Sequence, residues 1–113
     1  MPSPITPIVN TQLPATTGVL LYTSPTGTWT QILKVLCVNT DSSVHAVTLY
    51  LVPSGGSIGT PFITTDAQAV LPAQSFNSPN EYGLVLGPGD KLFGFADTAS
   101  VVNLFVSGLL ATS

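Results

Sequence analysis

Charge is what this chain has least of. Its 113 residues carry two basic and five acidic side chains, 6% of the total, against roughly 25% in an average soluble domain. Arginine is absent, and the two lysines, Lys34 and Lys91, are far apart. A nucleic-acid binder needs a basic patch or stripe, and a protein that docks on anionic lipid needs a basic cluster; there is material for neither. A single cysteine, Cys37, excludes an internal disulfide and a zinc site built on cysteines. It is expected as a small buried residue in a strand. Long apolar runs are missing too: Val19–Tyr22 and Leu84–Leu86 are far too short to span a bilayer as helices. The opening Met-Pro-Ser-Pro-Ile-Thr-Pro lacks the basic and apolar regions of a signal peptide, so assembly in a cytoplasm is expected.

The residues of catalysis are equally sparse. His45 is the sole histidine. It adjoins Asp41, Ser42 and Ser43, but neighbours in one short loop do not generally take triad geometry, and these are ordinary turn formers. Asp41, Asp66, Glu81, Asp90 and Asp97 stand singly, each near an expected loop, with no D-x-D pattern for a cation. Gly55-Gly56 is followed by no lysine and no helix, so it reads as a flexible turn rather than a phosphate loop. No enzyme activity, cofactor or metal is expected.

What is present is β-structure. Hydrophobic residues make up 44% of the chain, and ten glycines and ten prolines punctuate every gap. Strands are expected over Gly18–Ser24, Trp29–Asn39, Val44–Val52, Tyr82–Leu86, Lys91–Ala96 and Val101–Leu110, with weaker candidates at Phe62–Thr65, Ala69–Leu71 and Phe76. Val44–Val52 reads as the hairpin partner of Trp29–Asn39. Pro25-Thr26-Gly27 supplies a turn, and Gly87-Pro88-Gly89-Asp90 has proline and glycine where a type II turn needs them. Residues 1–17, with Pro2, Pro4, Pro7 and Pro14, read as an extended arm outside the main sheets, and residues 18–113 as one domain. Seven to nine short strands predict an all-β, two-layer antiparallel sandwich of jelly-roll or Ig-like type.

Two strands are apolar on both faces. Simple alternation puts Trp29, Leu33, Val35 and Cys37 on one side of the first and Ile32, Leu36 and Val38 on the other, with Lys34 among them. The last strand carries Val102, Leu104 and Val106 on one side and Val101, Phe105 and Leu109 on the other. A two-layer sandwich of this size cannot cover both faces itself, so one outer face is expected to meet a partner. Candidate subunit-interface residues are Ile5, Ile8, Val9 and Leu13 of the arm, then Trp29, Ile32, Leu36, Val38, Val101, Phe105 and Leu109. Trp29 sits beside a turn, where an aromatic serves a subunit contact or stacks on a sugar; the scarcity of charged hydrogen-bonding neighbours favours the contact.

Four motifs in order carry a resemblance. Tyr22–Gly27 (YTSPTG) leads into a long strand ending at Asn39; Val47–Gly56 (VTLYLVPSGG) follows; Leu86-Gly87-Pro88-Gly89-Asp90 is an L-x-P-G-D turn; and Val106-Ser107-Gly108 closes the series. Over Leu20–Leu109 the chain resembles a small β-domain of tailed-bacteriophage virion structural proteins. The resemblance implies a β-sandwich in the virion, without a catalytic motif. With no fibre stalk or helical repeat, it implies first a capsid decoration (cement) protein. Such a subunit would be a homo-oligomer, as a trimer, bridging the major capsid protein or other virion proteins while the arm clamps a neighbour. A tail-tip, fibre or adaptor module binding host glycan or another tail protein is the alternative. On this reading, deleting residues 1–15 leaves a folded body that no longer binds heads.

Overall fold

A computed structural model describes residues 5–112. Nine strands run in chain order: β1 Ile5–Gln12, β2 Leu20–Thr23, β3 Thr28–Asn39, β4 His45–Val52, β5 Ile63–Val70, β6 Ser75–Asn77, β7 Val85–Leu86, β8 Lys91–Ala96 and β9 Val102–Thr112, with one short 3-10 turn at Thr60–Phe62. They form two antiparallel sheets, one in the order β1-β9-β3-β6 with β7 also on β3, the other β2-β8-β4-β5. β6 and β7 are one interrupted strand along β3. Between them, Ser78 N–H donates to Val35 O (2.9 Å) and Gly83 N–H to Ile32 O (2.7 Å).

The pairings β1 with β9, β2 with β8, β3 with β6/β7 and β4 with β5 are those of one long antiparallel hairpin rolled into two layers. This is the jelly-roll arrangement. An Ig-like sandwich would instead group its first, second, fifth and fourth strands in one sheet. The expected all-β sandwich is therefore found, and the strand order selects the jelly roll.

Three expectations change. First, Ile5–Gln12 is not an arm outside the sheets but an edge strand paired along β9, with Val9 opposite Val106. Val9 and Leu13 enter the core. Proline at position 7 is tolerated because an edge strand needs no donor on its free side. Met1–Pro4 of the expected arm, and Ser113 at the other end, lie outside the described residues.

Second, β3 and β4 are not a hairpin: they lie in opposite sheets. Asn39 turns the chain between them. Its buried amide donates to Ser43 O (2.8 Å) and Val70 O (2.9 Å), and its Oδ1 accepts from Asp41 N–H (2.9 Å). Those bonds fix the polar 40–44 loop as a corner rather than a hairpin turn.

Third, strict alternation fails in β3. Register against β9 slips between Ile32 and Lys34, so Leu33 is an extra, bulged residue. One extra residue reverses the parity of everything beyond it. Thr28, Thr30 and Ile32 therefore share the inward face with Val35 and Cys37, while Trp29 shares the outward face with Lys34, Leu36 and Val38.

The core between the layers holds Ile32, Val35, Leu49, Leu86, Leu92, Leu104 and Val106 among others. Each such side chain contributes about 1.5–3 kcal/mol on leaving water. Both expected turns form: Thr28 N–H closes on Pro25 O (3.0 Å), and Asp90 N–H on Gly87 O (3.0 Å) with Gly89 at φ +84, the type II value.

Candidate functional site

The outward face of the β1-β9-β3 sheet is built by cross-strand rows. Asn10, Phe105, Leu36 and Asn77 form one row, and Gln12, Asn103, Val38 and Ser75 the next. Pro7, Ser107 and Lys34 form a third, and Ile5, Leu109, Gln31 and Val85 a fourth. Trp29 faces Ala111 at the end. Apolar side chains alternate with uncharged amides and hydroxyls. Lys34 is the only charged residue in the strands of this sheet, is exposed, and has no ion-pair partner among the described residues.

Two shallow depressions flank Lys34. One, of about 300 Å³, is lined by Pro7, Val9, Asn10, Lys34, Leu36, Phe105, Val106 and Ser107. The other, of about 380 Å³, is lined by Leu33, Lys34, Asn77, Ser78, Pro79 and Tyr82. The Trp29 ring packs over Gly87, where an added Cβ would sit 3.1 Å from it, yet the side chain stays 48% exposed. Tyr82 (68%) and Val85 (53%) are exposed near the β6–β7 edge.

Of the candidate interface residues, the fold brings Ile5, Trp29, Leu36, Val38, Phe105 and Leu109 onto this one face. Ile32, Val9 and Leu13 are corrections: they are buried inside the domain and cannot meet a partner. The β3 bulge accounts for Ile32, and the pairing of β1 into the sheet for the other two. Ile8 and Val101 are half-buried against the same core. Cys37 is buried, as its position in a strand suggests, and burial together with the Glu81 carboxylate pushes its thiol up to about 12.

Two polar clusters bridge the structure elsewhere. Both nitrogens of His45 face carboxylates: Nε2 lies 2.7 Å from Asp41 Oδ2 and Nδ1 2.7 Å from Asp97 Oδ1. Ionised carboxylates only accept, so the geometry suits the imidazolium form, with a proton on each ring nitrogen. The Asp41 hydrogen bond first, then Asp97, raises the His45 pKa against an opposing effect of burial; the His45 bond first, then Ser42 N–H, lowers that of Asp41. The cluster ties the β3–β4 corner to the end of β8. Among the described residues no serine hydroxyl takes part.

The second cluster escaped the sequence reading. Glu81, in the β6–β7 connection, is fully buried. Thr65 Oγ1 of β5 donates to its Oε2 (2.5 Å) and Ser78 Oγ to its Oε1 (2.6 Å). With both hydroxyl protons committed, Thr65 Oγ1 accepts from Asn80 Nδ2 (3.3 Å). This joins the second sheet to the edge of the first. The Ser78–Glu81 spacing of three, a pattern common where side chains cap backbone turns, was the available signal.

Among the described residues no group of acids, histidine or cysteine could hold a metal ion, and no helix is long and apolar enough to cross a membrane. Compared with models of known protein families, with curated proteins and with solved structures, the chain shows no significant match to any of them.

Proposed function

We propose that the chain is a structural subunit of a tailed-bacteriophage virion, a capsid decoration (cement) protein that self-associates and bridges neighbouring capsid subunits. The observation that carries the proposal is the outer face around Lys34: six of the eleven residues expected to make subunit contacts fall on it, and it holds one charge. A rigid jelly roll with such a face suits a block that binds only an assembled shell and so opposes its disassembly by mass action. Jelly rolls occur in viral capsid proteins but also in lectins and cupins, so the fold accommodates the reading without selecting it.

The test is to add purified protein to heads that lack it, then to count bound copies by gel densitometry and image where they sit. Hundreds of copies on the shell, and heads that resist heat or chelation better, are expected; the reading fails if the protein does not bind heads or appears as a dozen copies or fewer. That second result would favour a tail-associated module. Exposed Trp29 and Tyr82 beside one edge support this other reading, because exposed rings stack on sugars. A glycan-array signal abolished by Trp29→Ala would select it.

A further inference from the structure

We propose that the Lys34 face docks head-to-tail on the β5 edge of a second copy of this chain, Lys34 of one protomer pairing with Asp66 of the next; this rests on the self-association proposed above. Asp41 and Asp97 hold His45. Asp90 accepts from Ser54 N–H and Gly87 N–H (both 2.8 Å). Glu81 is held by Thr65 and Ser78. Asp66 is the one carboxylate with no hydrogen bond or ion pair among the described residues, and it is exposed. Lys34 is its counterpart on the other sheet. Lys91, the second lysine, lies on β8 in the same sheet as Asp66 and is absent from the Lys34 face.

The alternative self-contact, this face against itself about a two-fold axis, fits poorly. Lys34 lies between the two depressions, in the middle cross-strand row of the face. Face-to-face packing would bury two ammonium groups with no carboxylate for either, which is strongly unfavourable. Head-to-tail packing gives each lysine one. The backbone also distinguishes this edge. Register along β5 slips between Thr65 and Gln68, and Ala67 takes φ 47, so the edge strand carries a bulge at the exposed residues Asp66 and Ala67. The outer face of one sheet and the lateral edge of the sandwich are adjacent rather than opposite sides, so repeated contacts turn and can close into a ring rather than a straight fibre.

Charge reversal tests this. The oligomeric state of the wild type, Lys34→Glu, Asp66→Lys and the double variant would be measured by light scattering across a concentration series, with circular dichroism to verify folding. Both positions are exposed, so all four proteins should fold. The wild type should be oligomeric, each single variant should associate at least tenfold more weakly, and the double variant should recover most of the loss. An oligomeric wild type with an unaffected single variant, or with a double variant no better than the singles, overturns the Lys34–Asp66 contact but leaves self-association standing. A wild type monomeric throughout overturns both.

Discussion

Replacing Thr65 with valine should unfold this protein more easily than any surface change, because Thr65 supplies half of what keeps a buried carboxylate in place. Glu81 is fully buried, and its described hydroxyl donors are Thr65 and Ser78. A hydrogen bond to a charged group contributes about 1.5–3 kcal/mol, and a buried acceptor left short of a donor adds to the loss. Thr65→Val should therefore cost about 2–4 kcal/mol out of a total of roughly 5–15. Removing the acid changes the sum. In Glu81→Leu, the Thr65 and Ser78 hydroxyls, 3.1 Å apart, can bond to each other, so adding Thr65→Val then removes only a neutral bond of about 1 kcal/mol. The two substitutions should be non-additive by about 1–3 kcal/mol. Urea unfolding of the four proteins reads this directly: with a slope near 2 kcal/mol/M, a loss of 3 kcal/mol moves the midpoint by roughly 1.5 M. Additive costs, or a Thr65→Val variant as stable as the wild type, would show that the carboxylate does not depend on the hydroxyl and would sink the argument.

The raised pKa of His45 gives stability that is fully present below its ordinary 6.5 and is lost as pH rises through the folded value; the lowered pKa of Asp41 gives stability present above its ordinary 3.8 and lost as pH falls through the folded value. Thermal melts should show a plateau between these limits, and His45→Gln should flatten the alkaline decline; an unchanged alkaline limb would refute the assignment. Gly108 lies opposite Ile32 at the bulge, and an added Cβ would sit 2.1 Å from Gln31 O. Gly108→Ala should cost about 1–3 kcal/mol or more, seen as a lower melting temperature. Deleting residues 1–15 removes β1 with Val9 and Leu13, a loss of about 3–6 kcal/mol of burial. Circular dichroism should show a body that melts far lower or does not fold, rather than an intact domain that has lost only its contacts.

Most strands and both turns were legible because they depend on local chemistry, whereas β1 was expected as an arm and only Val85–Leu86 of the expected Tyr82–Leu86 strand is strand. β8 falls on the expected Lys91–Ala96, and both proline–glycine turns close as their residues require. The polarity of β9 was also legible, since its alternation is unbroken and Val102, Leu104 and Val106 are all buried. What was not legible is set by distant partners. Nothing local in Ile32-Leu33-Lys34 marks a bulge: three residues acceptable in any strand are thrown out of step by register against β9. The apparent β3–β4 hairpin fails for a similar reason, since the loop length suits either a hairpin or a corner and Asn39 decides it by reaching Val70, 31 positions away. Glu81 looked like a loop acid because its donor Thr65 comes from another sheet.

The blunted edges change what the scarcity of charge means. A β-protein with few charges invites strand-to-strand aggregation, and charged side chains are one usual defence. Here the backbone provides another. β1 carries Pro7 and a register slip between Pro7 and Val9, β2 slips between Leu20 and Tyr22, β5 is bulged at Asp66–Ala67, and the β6/β7 edge is interrupted by seven residues that turn away and return. Every open edge of both sheets is thus irregular, which discourages indiscriminate pairing without using charge. The flat surfaces that remain are the sheet faces. Were the β1-β9-β3 face the proposed contact surface, the lone ammonium of Lys34 would give that contact its polarity: a partner without a carboxylate in register would strand it.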